Sequence, residues 1–262
     1  MTDAWMLFDR LAADYDQVVP FFAEFGHRLV DVLDPAPGAA WLDVGSGRGA
    51  IAVAAAGRGC AVTAVDAAPR MVALLRAARP DIDARVMDIH RLDLPDNSYD
   101  LATGGFVVHL VADPLQALTE LRRVLRPGAT LALTTPGPCE DHGRWDAFNA
   151  VWADFAARTA ARARPTPVDV EATLHTAGFR NVRTTALEVH LPVADPQACW
   201  NFHMSHGFAA RVEALSPADA AEFERRAMAE LHRMHERGGI VVDRGATVHL
   251  ATAPPGAAQD EP

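Results

Sequence analysis

Residues 41–50 read Trp41-Leu42-Asp43-Val44-Gly45-Ser46-Gly47-Arg48-Gly49-Ala50. An apolar run passes into glycine at alternate positions and then into an alanine-rich stretch, the pattern of a strand, a tight loop and a helix. Glycine at that junction permits positive φ and, lacking a Cβ, lets a ligand approach the backbone N–H groups at a helix N-terminus. The loop therefore predicts a nucleotide-like ligand. Gly45, Gly47 and Ala50 also satisfy the Gly-x-Gly-x-x-Gly/Ala spacing, so the loop by itself leaves a dinucleotide and other nucleoside cofactors open.

The rest of the chain narrows the field. Its 262 residues, half of them hydrophobic, suffice for one large α/β domain or two small ones with a substantial core. A formal charge of −10 and the lack of any basic block argue against a nucleic-acid partner. Residues 1–10 carry acids and a tryptophan where a signal peptide needs a basic start, and no apolar run reaches the length of a membrane span. Cys60, Cys139 and Cys199 are odd in number, far apart and without Cys-x-x-Cys spacing, which suits a reducing cytoplasm. All 24 basic residues are arginine. Without lysine there is no phosphate-loop lysine, no Schiff base for pyridoxal phosphate and no Tyr-x-x-x-Lys pair.

In chain order, helical spacing over residues 4–32 with Pro20 as a breaker predicts two helices before the first strand, Ala39 to Val44. A helix to about Arg58 follows, then a strand from Cys60 to Val65 ending at Asp66, with Pro69 placed to open the next helix. Ala84 to Met87 is a third strand ending at Asp88, and Tyr99 to Thr103 a fourth that runs into Gly104-Gly105-Phe106. A helix from Pro114 to Leu125, a turn at Pro127-Gly128 and a strand from Thr130 to Thr135 complete the alternation. Strands alternating with helices imply a parallel sheet whose ligands gather at the carboxyl ends of the strands. Helices over Trp145 to Arg162 and Val168 to Ala177, a strand over Val182 to Leu191, a helical stretch from Asp195 to Gly238 and a last strand over Ala246 to Ala251 follow.

The ordered motifs resemble the class I S-adenosylmethionine-dependent methyltransferases, and among them the small-molecule enzymes that include the ubiquinone and menaquinone methyltransferases. Leu42 to Gly49 is similar to the family's first motif, Asp66 to its ribose-binding acid, Met87-Asp88-Ile89 to its adenine-binding segment, and Ser98-Tyr99-Asp100-Leu101 to the start of its fourth strand. Leu121 to Ala129 is similar to its helix-to-strand-five signature, and Phe8-Asp9 and Tyr15-Asp16 also look familial. The resemblance covers about Leu7 to Pro136. It implies a doubly wound, Rossmann-like α/β fold with a mostly parallel sheet, an antiparallel last strand and helical lid insertions. It divides the chain into an N-terminal helical cap (1–38), a cofactor-binding core (39–192 with 239–252), a helical lid (193–238) and a disordered tail (253–262). It implies S-adenosylmethionine as cofactor, held by Tyr15, Asp43, Gly45, Ser46, Gly47, Asp66, Ala67, Met71, Asp88, Ile89, Gly104 and Phe106.

The residues fit that cofactor on physical grounds. A sulfonium and an ammonium favour acidic surroundings, and Asp43 in the loop would repel a pyrophosphate. Asp66 and Asp88, at the ends of adjacent strands, supply the acceptors that a ribose diol and an adenine amine require. Methyl transfer is a direct displacement, so alignment and exclusion of water are the main tasks, with a neutral histidine as the proton acceptor where the nucleophile is protonated. His109, after the fourth strand, and His206, on the lid, are the candidates, and Tyr15 is a third group placed to close over the cofactor. Trp200, His203 and His206 share a helical spacing that predicts a substrate-contacting face. The histidine pairs 203/206 and 232/235 lack a cysteine or carboxylate to complete a metal pattern, so no metal is predicted. Arg144, Arg158, Arg162 and Arg164 form a solvated face or contain a carboxylate anchor. The chain is thus expected to methylate a small organic molecule, with secondary metabolism as the setting, acting as a monomer or homodimer without nucleic acid or membrane. The same fold also hosts enzymes that cyclise or cleave the aminobutyryl chain of this cofactor, or run pericyclic chemistry beside it.

Overall fold

The computed structural model describes residues 4–158 and 168–255. Two helices, α1 (Ala4–Leu11) and α2 (Phe21–Leu33), precede β1 (Ala40–Val44), and α3 (Ala50–Gly57), β2 (Ala61–Asp66), α4 (Pro69–Ala78), β3 (Asp83–Val86), β4 (Tyr99–Gly105), α5 (Pro114–Val124) and β5 (Leu125–Gly137) follow. The second half comprises α6 (Asp146–Ala156), α7 (Val170–Thr176), β6 (Arg180–Val193), α8 (Pro196–Met204), α9 (Phe208–Glu213), α10 (Pro217–Glu236) and β7 (Ile240–Thr252). Helix starts are written in the sequence. Asp113, Asp195 and Ser216 each accept a backbone N–H three residues on, and each is followed by proline at the first helical position.

The seven strands form one sheet in the order β3-β2-β1-β4-β5-β7-β6. β1 to β5 pair in parallel, whereas β7 runs antiparallel to both β5 and β6. The sheet is therefore mostly parallel with an antiparallel last strand, as the resemblance implies. Leu42, Val44, Leu118, Leu121, Leu131 and Leu174 centre one buried layer, under α5 and α7. Trp41, Leu29, Ala52, Ala55, Val72 and Leu75 centre the opposite one, under α2, α3 and α4. Covering both faces is what lets the strands be near-continuously apolar.

The structure extends several elements beyond their sequence-based bounds. β5 starts at Leu125, since Leu125 pairs with Tyr99 before the register shifts and Leu101 meets Thr130; Pro127-Gly128 is an irregularity within the strand rather than a turn before it. β6 and β7 pair from Arg180 to Val193 and from Ile240 to Thr252, well past the segments expected. Of the helix expected over 145–162, the described part ends at Ala156; Arg162, Arg164 and the tail from residue 256 lie outside the described residues. The helical stretch over 193–238 is present as α8 to α10. It shares one apolar cluster with the N-terminal segment: Phe21 and Phe25 of α2 join Trp145, Phe155, Trp200, Phe202, Phe223 and Leu231. Cap and lid are thus walls of a common core. Among the described residues no helix is long and apolar enough to cross a membrane.

Candidate active site

The glycine loop leaves the carboxyl end of β1 with Gly45 at φ +61° and Gly47 at φ +54°. A Cβ on Gly45 would stand 2.5 Å from Val107 Cγ2, so both conformation and space require glycine there. The loop does not, however, offer its amides to a ligand. Ser46 N–H donates to Val65 O (3.0 Å), Gly47 N–H to Asp66 Oδ2 (2.7 Å) and Gly49 N–H to Ser46 O (2.8 Å). Ala52 N–H in the first turn of α3 donates to Asp43 Oδ2 (3.2 Å). A phosphate cradle needs such donors free. These bonds take four of the amides that a dinucleotide's pyrophosphate would use.

What faces the ligand is carboxylate. Asp43 is fully buried, and its Oδ1 accepts Thr103 Oγ1–H (2.8 Å), which in turn accepts Trp41 Nε1–H (2.9 Å). Burial pushes its pKa up to about 7 against the hydrogen bonds from Thr103 and Ala52, with the Asp66 charge adding to the rise. Burial likewise raises Asp66, whose two oxygens accept Gly47 N–H and Ala68 N–H. A carboxylate offers about four lone-pair sites, so roughly two remain for a diol. Arg48, the cation nearest in sequence, turns away to the carbonyls of Ala12, Ala13 and Tyr15.

Of these groups Asp43 borders a pocket of about 390 Å³, part of it open to solvent, with Tyr15, Gly45, Ser46, Gly47 and Phe106 from the predicted set along the same wall, whereas Asp66 reaches that wall through its bond to Gly47 N–H. Ser46 Oγ is buried there without a hydrogen-bond partner, an orphaned polar atom of the kind that a bound polar ligand satisfies. Phe106 takes φ +54° directly after β4 and is held by bonds from its N–H to Thr134 O (3.1 Å) and Oγ1 (3.0 Å). A non-glycine residue held in this region is strained, and such residues cluster at ligand sites. Acidic acceptors, an orphan hydroxyl and the lack of a phosphate cradle fit an adenosine group carrying positive charge.

Tyr15 lies over the loop, stacked on Phe22 with ring centroids 4.6 Å apart. Burial, then the charges of Asp16 and Asp66, raise its pKa well above the ordinary phenol value. Met71 is buried with Ala12 and Ala68, packed against Phe8 and Tyr15, and so supports the tyrosine from behind. Ala67 follows Asp66, whose Oδ1 caps the next N–H. Gly104 is enclosed, a Cβ there meeting Leu133 Cδ2 at 2.9 Å, and it is Gly105 that reaches the pocket. Asp88 is exposed and bonds to His90 through its ring Nδ1 (2.6 Å) and N–H (2.9 Å); Ile89 beside it is half-buried. Phe22, Phe25, Ala50, Ile51 and Gly105 complete the wall. Phe22 and Phe25 have the spacing of a shared helix face, but nothing in that spacing tells a pocket wall from ordinary core.

The histidines divide. His109 is half-buried in the turn after β4, with Nδ1 unpartnered, and burial lowers its pKa. His203 is only 2% exposed and both nitrogens are taken: Nδ1–H donates to Cys199 O (2.8 Å) and Nε2 accepts Arg244 Nη2–H (3.0 Å). Trp200 is 6% exposed and packs on Phe223, 5.9 Å between centroids. Both side chains are thus packed against the buried face of α8. His206, past the end of α8, has only a long contact from Phe208 N–H to Nδ1 (3.4 Å), and its ring meets Phe22 of the pocket wall edge-on at 6.1 Å. Burial and the Arg244 charge push His203 down to about 3 and His206 down to about 4, so both rings are neutral at neutral pH. Of the arginines considered as anchors, Arg144 is taken bidentately by Asp243 (2.7 and 3.0 Å) and Arg158 pairs with Asp219. Among the described residues, metal-ligand side chains converge in one group, Cys139, Glu188 and His190, which includes neither predicted histidine pair. There, His190 already bonds to Asp243 (2.6 Å) and lies 3.3 Å from Glu188.

Comparisons with known proteins agree with this geometry. The family model described as "Methyltransferase domain" matches residues 42–133, the span from β1 into β5. Nocamycin O-methyltransferase of Saccharothrix syringae is 32% identical over 267 residues, covering 90% of this chain and 93% of that protein. In fold, the chain is similar to phosphoethanolamine N-methyltransferase 2 of Haemonchus contortus, solved with S-adenosylhomocysteine (TM-score 0.54, 14% identity, 88% of this chain and 52% of that one). It is also similar to the [4+2]-cyclase SpnF (TM-score 0.51, 22% identity, 88% and 81% covered), a likeness of fold alone. The chain belongs to the class I S-adenosylmethionine-dependent methyltransferases of small-molecule type, with S-adenosylmethionine as its cofactor.

Proposed function

We propose that the enzyme transfers the methyl group to an oxygen of a small organic molecule made in secondary metabolism. The observation that carries this reading is the similarity to nocamycin O-methyltransferase along nearly the whole of both chains, lid included. The cofactor supplies an electrophilic methyl on a sulfonium. The chain's own residues hold, orient and dry the reactants.

In this reading Asp66 accepts the ribose hydroxyls while its backbone bonds fix its rotamer. Ser46 and Asp43 face the charged methionine end and Tyr15 and Phe106 close the pocket, while Asp88 with Ile89, outside that wall, is assigned to the adenine by the family's motif order. His206 takes the proton from the attacking hydroxyl. Of His203 and His206 it is the one with a nitrogen to spare, and its ring meets Phe22 of the pocket wall. His109 is the corresponding candidate from the β4 side.

The test is to incubate the protein with S-adenosylmethionine and extracts of candidate acceptors and to identify the nucleoside released. S-Adenosylhomocysteine together with a product heavier by one methylene and stable to amine cleavage is expected. Methylthioadenosine, or a product methylated on nitrogen or carbon, would overturn the reading.

A further inference from the structure

Beyond the cofactor pocket, the fold holds a cation without an anion. Arg244 of β7 has its guanidinium over the Trp145 ring, 5.1 Å from the centroid. Its Nη1–H donates to Asp243 O (2.8 Å) and its Nη2–H to His203 Nε2 (3.0 Å). Among the described residues no carboxylate comes within ion-pair distance of it. Asp243, next in the strand, points to the opposite face, where Arg144 and His190 take both its oxygens. The charges of Asp243 and Asp141 act on it without reaching ion-pair distance, and the rings of Phe148 and Phe208 flank its partner His203 at 5.3 and 5.5 Å. A charge in such surroundings is unfavourable unless a partner arrives, and buried charges in proteins are normally paired.

Arg244 is also on the acceptor's side of the site. Gly245 pairs with Gly137 at the far end of β5, three residues past Thr134, which holds Phe106 at the pocket. From Arg244 a run of rings leads inward: His203, then His206 at 6.3 Å, then Phe22 at 6.1 Å on the pocket wall. The residue is half-buried, and burial lowers its pKa from the ordinary arginine value. Two of its five N–H donors are occupied, and the remaining three keep the planar fork that matches a carboxylate.

We propose that Arg244 is the specificity-determining residue for the methyl acceptor and that it binds a carboxylate carried on an apolar, ring-bearing body. The half-buried ring of Phe208, 5.5 Å from His203, takes the body, Arg244 takes the charge, and His206 lies between that charge and the pocket. Burial first, and the same guanidinium second, keep His203 and His206 neutral, so the lid recognises an anion while leaving its histidine unprotonated. This rests on the small-molecule acceptor reading above.

The experiment reads recognition without turnover. The full chain, saturated with S-adenosylhomocysteine, is titrated by calorimetry with 2-naphthoate and anthraquinone-2-carboxylate, and with the carboxamide of each. The carboxylates are expected to bind at least about tenfold tighter than their amides, from charge-assisted hydrogen bonds to one guanidinium. Arg244→Gln should abolish the preference and Arg244→Lys restore part of it, with S-adenosylhomocysteine affinity unchanged in both. Equal binding of acid and amide by the wild type, failure of every carboxylate to bind a protein that binds S-adenosylhomocysteine, or a preference that survives Arg244→Gln each overturns the proposal. The wild-type comparison stands even if a variant fails to fold. A failure of oxygen methylation in the nucleoside assay leaves these titrations readable, so the two readings fall separately.

Discussion

The glycine-loop side and the lid side of this site bury charge in opposite ways. Around the loop, Asp43 and Asp66 are carboxylates that backbone N–H groups of Ala52, Gly47 and Ala68 hold in place. Around the lid, His203, His206 and Arg244 sit among aromatic rings, with one cation lacking a counter-charge. The first arrangement is pre-organised: its acceptors hold their geometry whether or not a ligand is present. The second is incomplete without a guest. One physical cause, loss of water, acts on both with opposite sign, pushing Asp43 up to about 7 and His206 down to about 4.

The contrast breaks most readily at Asp66. Asp66→Ala removes the proposed ribose acceptor and also releases the Gly47 and Ala68 N–H groups that shape the loop. Affinity for S-adenosylhomocysteine should fall by at least about a hundredfold in calorimetry, since each charged hydrogen bond lost costs about 1.5–3 kcal/mol. Asp66→Asn should fall between the two. Wild-type affinity in Asp66→Ala would mean that the acid is only a cap for α4 and that the loop side is not the rigid half.

A smaller effect sharpens the division of labour. His206→Ala should lower turnover of a true substrate by about a hundredfold, the lower range for loss of a general base, with S-adenosylhomocysteine affinity little changed. His203→Gln should affect stability more than turnover, because both its ring nitrogens hold structural bonds. If His109→Ala carries the loss and His206→Ala does not, the proton leaves toward β4 and the lid serves recognition alone.

How much of this was legible in the sequence follows the same division. Asp43, the Gly45 to Gly49 loop and Asp66 are local features: a strand end, a turn and the next strand end, each fixed within about 20 residues, so spacing suffices. Even there the sequence misjudged the loop's amides, because their acceptors, Val65 O and Asp66, lie on another strand. On the lid, helical spacing grouped Trp200, His203 and His206 as one outward face. The structure turns Trp200 and His203 into a core completed by Phe223, Trp145 and Phe148, partners from segments that no periodicity links to α8. Arg244 had no signal, since an arginine in a strand looks the same with or without a distant carboxylate. Arg144, which the sequence did mark, is neutralised by Asp243 across 99 residues.

The opposite signs of the two buried sets give the smallest and cleanest prediction. Asp43 and Asp16 have pKa values raised from 3.8 to about 7 and about 6, so the folded state retains protons that the unfolded chain has lost. Their contribution to stability is full below pH 4 and disappears as pH rises toward 7. His203 and His206 are depressed from 6.5 to about 3 and about 4, so their contribution is full above pH 6.5 and is lost as pH falls toward 4. Between these limits the two halves oppose each other, and urea melts of the wild type should change little from pH 4.5 to 6.5. Relative to it, Asp43→Asn should gain stability with rising pH by about 1 kcal/mol per unit, and His206→Gln should lose it at a similar rate. Parallel profiles for all three proteins would mean that water reaches both sets. A tilt in Asp43→Asn without one in His206→Gln would confine the dry environment to the loop side and leave Arg244 solvated enough to need no anion.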